Sequence, residues 1–181
     1  WYQGESNTSR AVAYRSAFAL MITDWRKQWG QGDFPFYWAQ LANFEPKRPQ
    51  PEESNWAELR DSQTATLALP NTGQALLIDI GEEADIHPRN KSDVGNRLAL
   101  IALARDYGKS VQYVGPTFDS MKIEGNKVRV LFKHATGLTA RPLPATYQPR
   151  STDPATKPLA RNSPGGQLEG FAVCGADKQW H

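Results

Sequence analysis

Ala75-Leu76-Leu77-Ile78-Asp79-Ile80 is an almost unbroken apolar run of strand length, and its reading decides the fold class. A strand with one wet face alternates apolar and polar side chains. A run that is apolar at both parities reads instead as a parallel strand covered on both sides. Helical patterns flank it. Upstream, Ser54 to about Leu69 reads as a helix stopped near Pro70. Downstream, Lys91 to Tyr107 places Val94, Leu98, Ile101 and Leu103 or Ala104 inward and ends at Gly108.

Further out, Ser9 to Trp29 carries Tyr14, Phe18, Met21, Ile22, Trp25 and Trp29 at helical spacing, and Gly30 and Gly32 stop it. Phe34 to Leu41 reads as a short strand, and the proline-rich stretch Glu45 to Pro51 as a surface loop. Helix, strand, helix, strand, helix is α/β organisation. Two strands are too few for a closed layer under three helices, so further strands are expected from an upstream segment or a second chain. The polarity period changes after Gly108. Met121 to Phe132 alternates around Glu124-Gly125-Asn126 and predicts a hairpin with Val128, Val130 and Phe132 on one face. Pro142 to Gly166 lacks clear periodicity, and Leu168 to Cys174 reads as another strand. The boundaries expected are 1–110 for the α/β part and 111–181 for the start of a β-rich module.

The chain has 181 residues, one ordinary domain or two small ones, and a formal charge of +2 with basic and acidic residues interspersed. No basic stripe argues for nucleic acid, and no apolar run approaches a membrane span. The single cysteine, Cys174, excludes an intrachain disulfide and reads as a small core residue. A chain opening on Trp1-Tyr2 and closing on Gln179-Trp180-His181 lacks frayed polar ends and reads as a cut piece.

Chemistry concentrates in two places. His87 follows the apolar run by a loop and precedes a helix, at the sheet edge where open α/β folds put ligands. Imidazole activates a hydroxyl near neutral pH and needs an acceptor on its far nitrogen. Asp85 is the orienter by proximity, with Asp79, Glu82 and Glu83 as competitors. Helix capping or simple exposure is the alternative reading of His87. One histidine amid carboxylates does not match a zinc set, and the acidic loop lacks the calcium pattern. Before the first helix, Gln3 offers an amide donor for a developing oxyanion, and Gly4 allows close backbone approach. Glu5 could accept from the histidine, while Ser6 is either a nucleophile or a cap.

Trp1-Tyr2-Gln3-Gly4-Glu5-Ser6-Asn7, followed by Asp85-Ile86-His87-Pro88-Arg89-Asn90-Lys91 and Val94-Gly95-Asn96-Arg97-Leu98-Ala99, resembles the sialate O-acetylesterase family, a branch of the SGNH (GDSL-like) hydrolases. The resemblance covers roughly residues 1–110. It implies the C-terminal part of a three-layer α/β/α domain with a parallel sheet, followed by a partial, sandwich-like β module. It further implies a carbohydrate O-acetylesterase of Ser-His-acid type, acting on acetylated sugars and needing neither metal nor organic cofactor. His87 matches the family histidine, and Gln3, Gly4 and Glu5 match its Gln-Gly-Glu motif. The family's nucleophile stands in a Gly-Gln-Ser-Asn-like motif that is missing here, so the serine is expected upstream and Ser6 becomes a cap or loop brace. The isolated chain is then expected to be inactive. Many SGNH enzymes carry the acid three residues before the histidine. That position is Ala84, which leaves Asp85, with Glu5 as a possible partner in the role. A secreted or periplasmic location is implied. An acetylxylan esterase and a non-catalytic carbohydrate-binding relative are the alternatives.

Overall fold

The computed structural model describes residues 1–46, 48–137 and 171–180. A 3₁₀ turn, Glu5–Arg10, runs directly into α1, Ala11–Trp29, which stops where Gly30 adopts the left-handed conformation and donates to the Arg26 carbonyl at 3.0 Å. Strand β1 is Phe36–Ala39, α2 is Asn55–Ala65, β2 is Thr72–Ala75 and α3 is Lys91–Arg105. A hairpin follows, β3 (Thr117–Glu124) and β4 (Lys127–Lys133), turning at Gly125 with φ 64°.

β1 and β2 pair in parallel, with Trp38 opposite Gln74 and Ala39 opposite Ala75. Alternation along β1 then sorts the helices into layers. Phe36 and Trp38 face α1 and α2, in a core with Tyr14, Phe18, Ile22 and Leu59. Ala39 and Ala75 face α3, in a second core with Leu77, Ile80 and Ile101. The arrangement is α/β/α, as expected. Buried Arg26 ties the amino ends together by donating to the carbonyls of Phe34, Pro70 and Asn71.

The second strand lies earlier than its apolar signature. It ends at Ala75, whose carbonyl accepts at 2.9 Å from the N–H of Gln40, one residue past the end of β1. The chain then turns, with Ile80 N–H on the Leu77 carbonyl at 3.2 Å. Leu77 and Ile80 enter the core, while Leu76 and Ile78 are exposed, so Ala75 to Ile80 is not a strand buried on both faces.

The hairpin forms around the expected turn, with β4 placing Val130 and Phe132 half-buried on one face and Val128 exposed. Of the expected strand at 168–174, residues 168–170 lie outside the described residues and 171–173 are not in a strand. Cys174 makes only an isolated bridge to Trp180. Cys174 is exposed rather than a core residue, and in its segment the ring contact runs from Phe171 to Phe132 of β4, with centroids 6.4 Å apart.

Candidate active site

Both motifs leave the carboxyl ends of parallel backbone. Trp1 N–H donates to the Tyr37 carbonyl at 3.2 Å, and the Trp1 carbonyl accepts from Ala39 N–H at 2.9 Å. This is the parallel-strand pattern opposite Trp38. Gln3-Gly4-Glu5 therefore emerges beside the end of β1, and the histidine loop follows the end of β2.

Gln3 is held by its backbone. Its carbonyl accepts from Tyr14 Oη at 3.1 Å and from Gln63 Nε2 at 3.0 Å. The same Gln63 side chain accepts from Leu41 N–H at 3.0 Å and is fully buried. Gly4 has φ 148°, and a Cβ there would stand 2.6 Å from Leu59 Cδ2, so only glycine fits. The Tyr2 hydroxyl is buried without a well-formed hydrogen bond. Burial first, then the nearby Glu5 charge, pushes its pKa up to about 12. Ser6 is exposed on the 3₁₀ turn and caps nothing, and α1 begins with no side-chain cap. Local bracing at this point comes instead from Thr8, whose hydroxyl donates to the Glu5 carbonyl at 3.1 Å.

The histidine loop is pinned at both ends. Gly81 passes so close to Asn43 that a Cβ would lie 1.9 Å from its carbonyl oxygen, and Glu82 bridges in parallel to Phe44. Glu82 is buried. Its Oε1 accepts from Arg89 N–H at 2.8 Å, and Arg89 Nε lies 3.8 Å from Oε2 and 3.5 Å from Asp85 Oδ2. At the far end, Asn90 Oδ1 caps α3 by accepting from Asp93 N–H at 3.2 Å. The helix cap is thus Asn90, leaving the His87 imidazole 81 % exposed.

Asp85 Oδ1 accepts from the His87 backbone N–H at 2.9 Å and stands 3.8 Å from His87 Nδ1. The carboxylate makes an Asx turn around the histidine, with the ring nitrogen beyond hydrogen-bond reach. The His87 N–H, and then the Arg89 charge, hold the Asp85 carboxyl below the usual aspartate range, so it stays ionised near neutral pH. Of the competitors, Asp79 is taken by Arg97 in a bidentate pair at 2.6 Å and Glu82 by the Arg89 backbone. Among the described residues no hydrogen bond joins His87 to Gln3 or Glu5. Half-buried Arg60 donates to Asn43 Oδ1 at 2.5 Å, and burial lowers its pKa.

Sequence reasoning passed over Gln63. Its signal is a polar residue one turn beyond Leu59, on a helix stripe that faces the core.

A parallel sheet between helical layers, with a histidine–carboxylate loop after its last strand, defines an α/β protein of SGNH-hydrolase type. The family described as "Carbohydrate esterase, sialic acid-specific acetylesterase" matches residues 1–104, and the chain belongs to it. Human sialate O-acetylesterase is 32 % identical over 146 residues, covering 70 % of this chain and 28 % of the relative. The mouse enzyme is 36 % identical over 135 residues, covering 64 % and 25 %. A crystal structure of a carbohydrate acetylesterase from Xanthomonas citri superposes with TM-score 0.78 at 42 % identity, over 100 % of this chain and 38 % of that one. The chain thus spans roughly a quarter of the length of the curated relatives.

Proposed function

We propose that the chain works as part of a carbohydrate O-acetylesterase of Ser-His-acid type. The observation that supports this reading is that both stretches follow the carboxyl ends of parallel backbone: Gln3-Gly4-Glu5, with the Gln3 carbonyl held by Gln63, beside the end of β1, and an exposed imidazole with an ionised carboxylate after β2. A serine from a segment outside this chain attacks the acetyl carbonyl while His87 takes its proton. Asp85 is the partner of the imidazolium, its carboxylate turning from the backbone N–H toward Nδ1, and Glu5 is the reserve acceptor. The Gln3 amide and neighbouring N–H groups hold the oxyanion. His87 then protonates the departing sugar hydroxyl and activates the water that clears the acetyl-enzyme. No step asks for a metal or organic cofactor.

The same reading makes residues 1–110 the C-terminal portion of the esterase domain and 111–181 the start of a β-rich accessory module. Trp1 adds its own backbone to the β1 edge in the parallel pattern. Acetylated glycans outside the cytoplasm are the substrate class, with a secreted or periplasmic enzyme.

In the complete protein, His87→Ala is expected to lower hydrolysis of an acetylated sugar on the order of 10²-fold or more. With the ring 81 % exposed, the melting temperature should hardly move. Near-wild-type turnover by a folded His87→Ala protein would remove His87 as the base.

A further inference from the structure

We propose that Gln63 is a positioning residue for the oxyanion donor, so that helix α2 sets the alignment of the Gln3-Gly4-Glu5 motif. This rests on the esterase reading above.

The motif is short and lies outside any regular ladder, so something else must fix where the Gln3 amide points. α2 supplies two contacts one helical turn apart. Leu59 fills the space where any side chain at position 4 would stand, with its Cδ2 2.6 Å from that Cβ position. Gln63 reaches across with its amide between two backbones, accepting from Leu41 N–H at 3.0 Å and donating to the Gln3 carbonyl at 3.0 Å. Leu41 stands two residues past the end of β1. Trp1 pairs with β1 just upstream, and at Gln3 itself the buried Gln63 amide ties the motif to the end of the sheet, with Tyr14 Oη as a second donor at 3.1 Å to the same carbonyl. Buried amides of this kind have one satisfied orientation, because reversing the group would set donor against donor and acceptor against acceptor. Glutamine is the residue that offers both functions on one stem of this length.

The consequence is specific to catalysis. Displacing an oxyanion donor by about 1 Å changes the rate by on the order of 10²-fold. Substrate binding by the sugar does not depend on that donor to the same degree. Loss of Gln63 should therefore appear in kcat and leave KM nearly unchanged.

The test uses the complete protein and an acetylated sugar substrate, with kcat, KM and melting temperature measured for each variant. Gln63→Met keeps the volume and removes both hydrogen bonds. It should lower kcat on the order of tenfold or more with KM within about twofold. Gln63→Glu keeps the acceptor for Leu41 and can donate to the Gln3 carbonyl only when protonated, so its kcat relative to wild type should rise as pH falls. Ser62→Ala is the control for helix damage. Ser62 is buried on the same turn and donates to the Ala11 carbonyl at 2.8 Å, away from the motif. It should lower the melting temperature and spare kcat. Wild-type kcat in folded Gln63→Met, a change confined to KM, or an equal kcat loss in Ser62→Ala would overturn the proposal. Gln3→Ala separates the two levels. If it is slow while the Gln63 variants are not, the positioning role alone fails. If Gln3→Ala itself turns over at the wild-type rate, the oxyanion role fails and the positioning role with it.

Discussion

Replacing Gly4 with alanine probes the contact on which the site is built. Two separate penalties apply. At φ 148° and ψ −15° an L-residue sits outside every favoured region, a strain of about 1–3 kcal/mol. The new methyl would also lie 2.6 Å from Leu59 Cδ2, whereas carbon atoms settle at about 3.5–4.0 Å. Leu59 is fully buried and has no free side to move toward, so the overlap adds a further ~1–3 kcal/mol of overpacking. Gly4→Ala should thus destabilise by about 2–6 kcal/mol, a large part of the ~5–15 kcal/mol of an ordinary domain. Leu59→Ala alone leaves a cavity and costs about 2–5 kcal/mol. In the double variant the methyl enters that cavity, so the overlap part disappears and the two effects should fall short of their sum by about 1–3 kcal/mol. Urea unfolding of the full-length protein, followed by tryptophan fluorescence, measures all three. Additivity within ~0.5 kcal/mol would show that Leu59 does not press on Gly4, and would refute the argument that α2 sets the motif.

The Asx turn of Asp85 should depend on pH in one direction. A carboxyl held below its usual value stabilises the loop above that value and loses the contribution as pH falls through the lowered one. Protection of the His87 amide against hydrogen exchange should therefore persist at pH 5 and fade only below about pH 4. Asp85→Asn, which keeps an acceptor, should remove the pH dependence; fading already at pH 6 would contradict the turn. Tyr37 Oη donates to Asp106 at 2.8 Å, and burial, then Asp106, pushes its pKa up to about 12. A raised pKa stabilises the fold below the ordinary tyrosine value of about 10 and is lost as pH climbs toward the folded value. Tyr37→Phe should flatten the stability profile across that alkaline window, measured by urea titration at stepped pH, and an unchanged slope would refute it.

Much of the scaffold was legible along the chain because its signals are local. α1 buries Tyr14, Phe18 and Ile22 from one stripe, and α3 turns Ile101 inward with Val94 and Leu98 beside it. The hairpin turn declared itself through Glu124-Gly125-Asn126. The second strand did not, and its composition explains why. β2 reads Thr72-Gly73-Gln74-Ala75, with no apolar signature. A Cβ on Gly73 would lie 2.7 Å from Ile101 and 2.9 Å from Tyr37, so close packing of α3 selects a small residue there. Gln74 serves the strand by accepting from the Trp38 indole at 2.8 Å. The apolar run beyond belongs to a turn that feeds the core with Leu77 and Ile80.

The sequence by itself determined the α/β class, the order of its elements, the family, and the two stretches where candidate catalytic groups stand. These follow from periodicity and from motifs whose residues are neighbours along the chain. Only the tertiary structure decided where the sheet pairing stops, that Asp85 spends one oxygen on the His87 backbone, and that Gln63 holds Gln3 from sixty positions away. The reason is that a buried donor or acceptor takes whichever partner the packed layers bring within about 3 Å. That partner is set by the meeting of α2 with the end of β1, and separation along the chain carries no record of it.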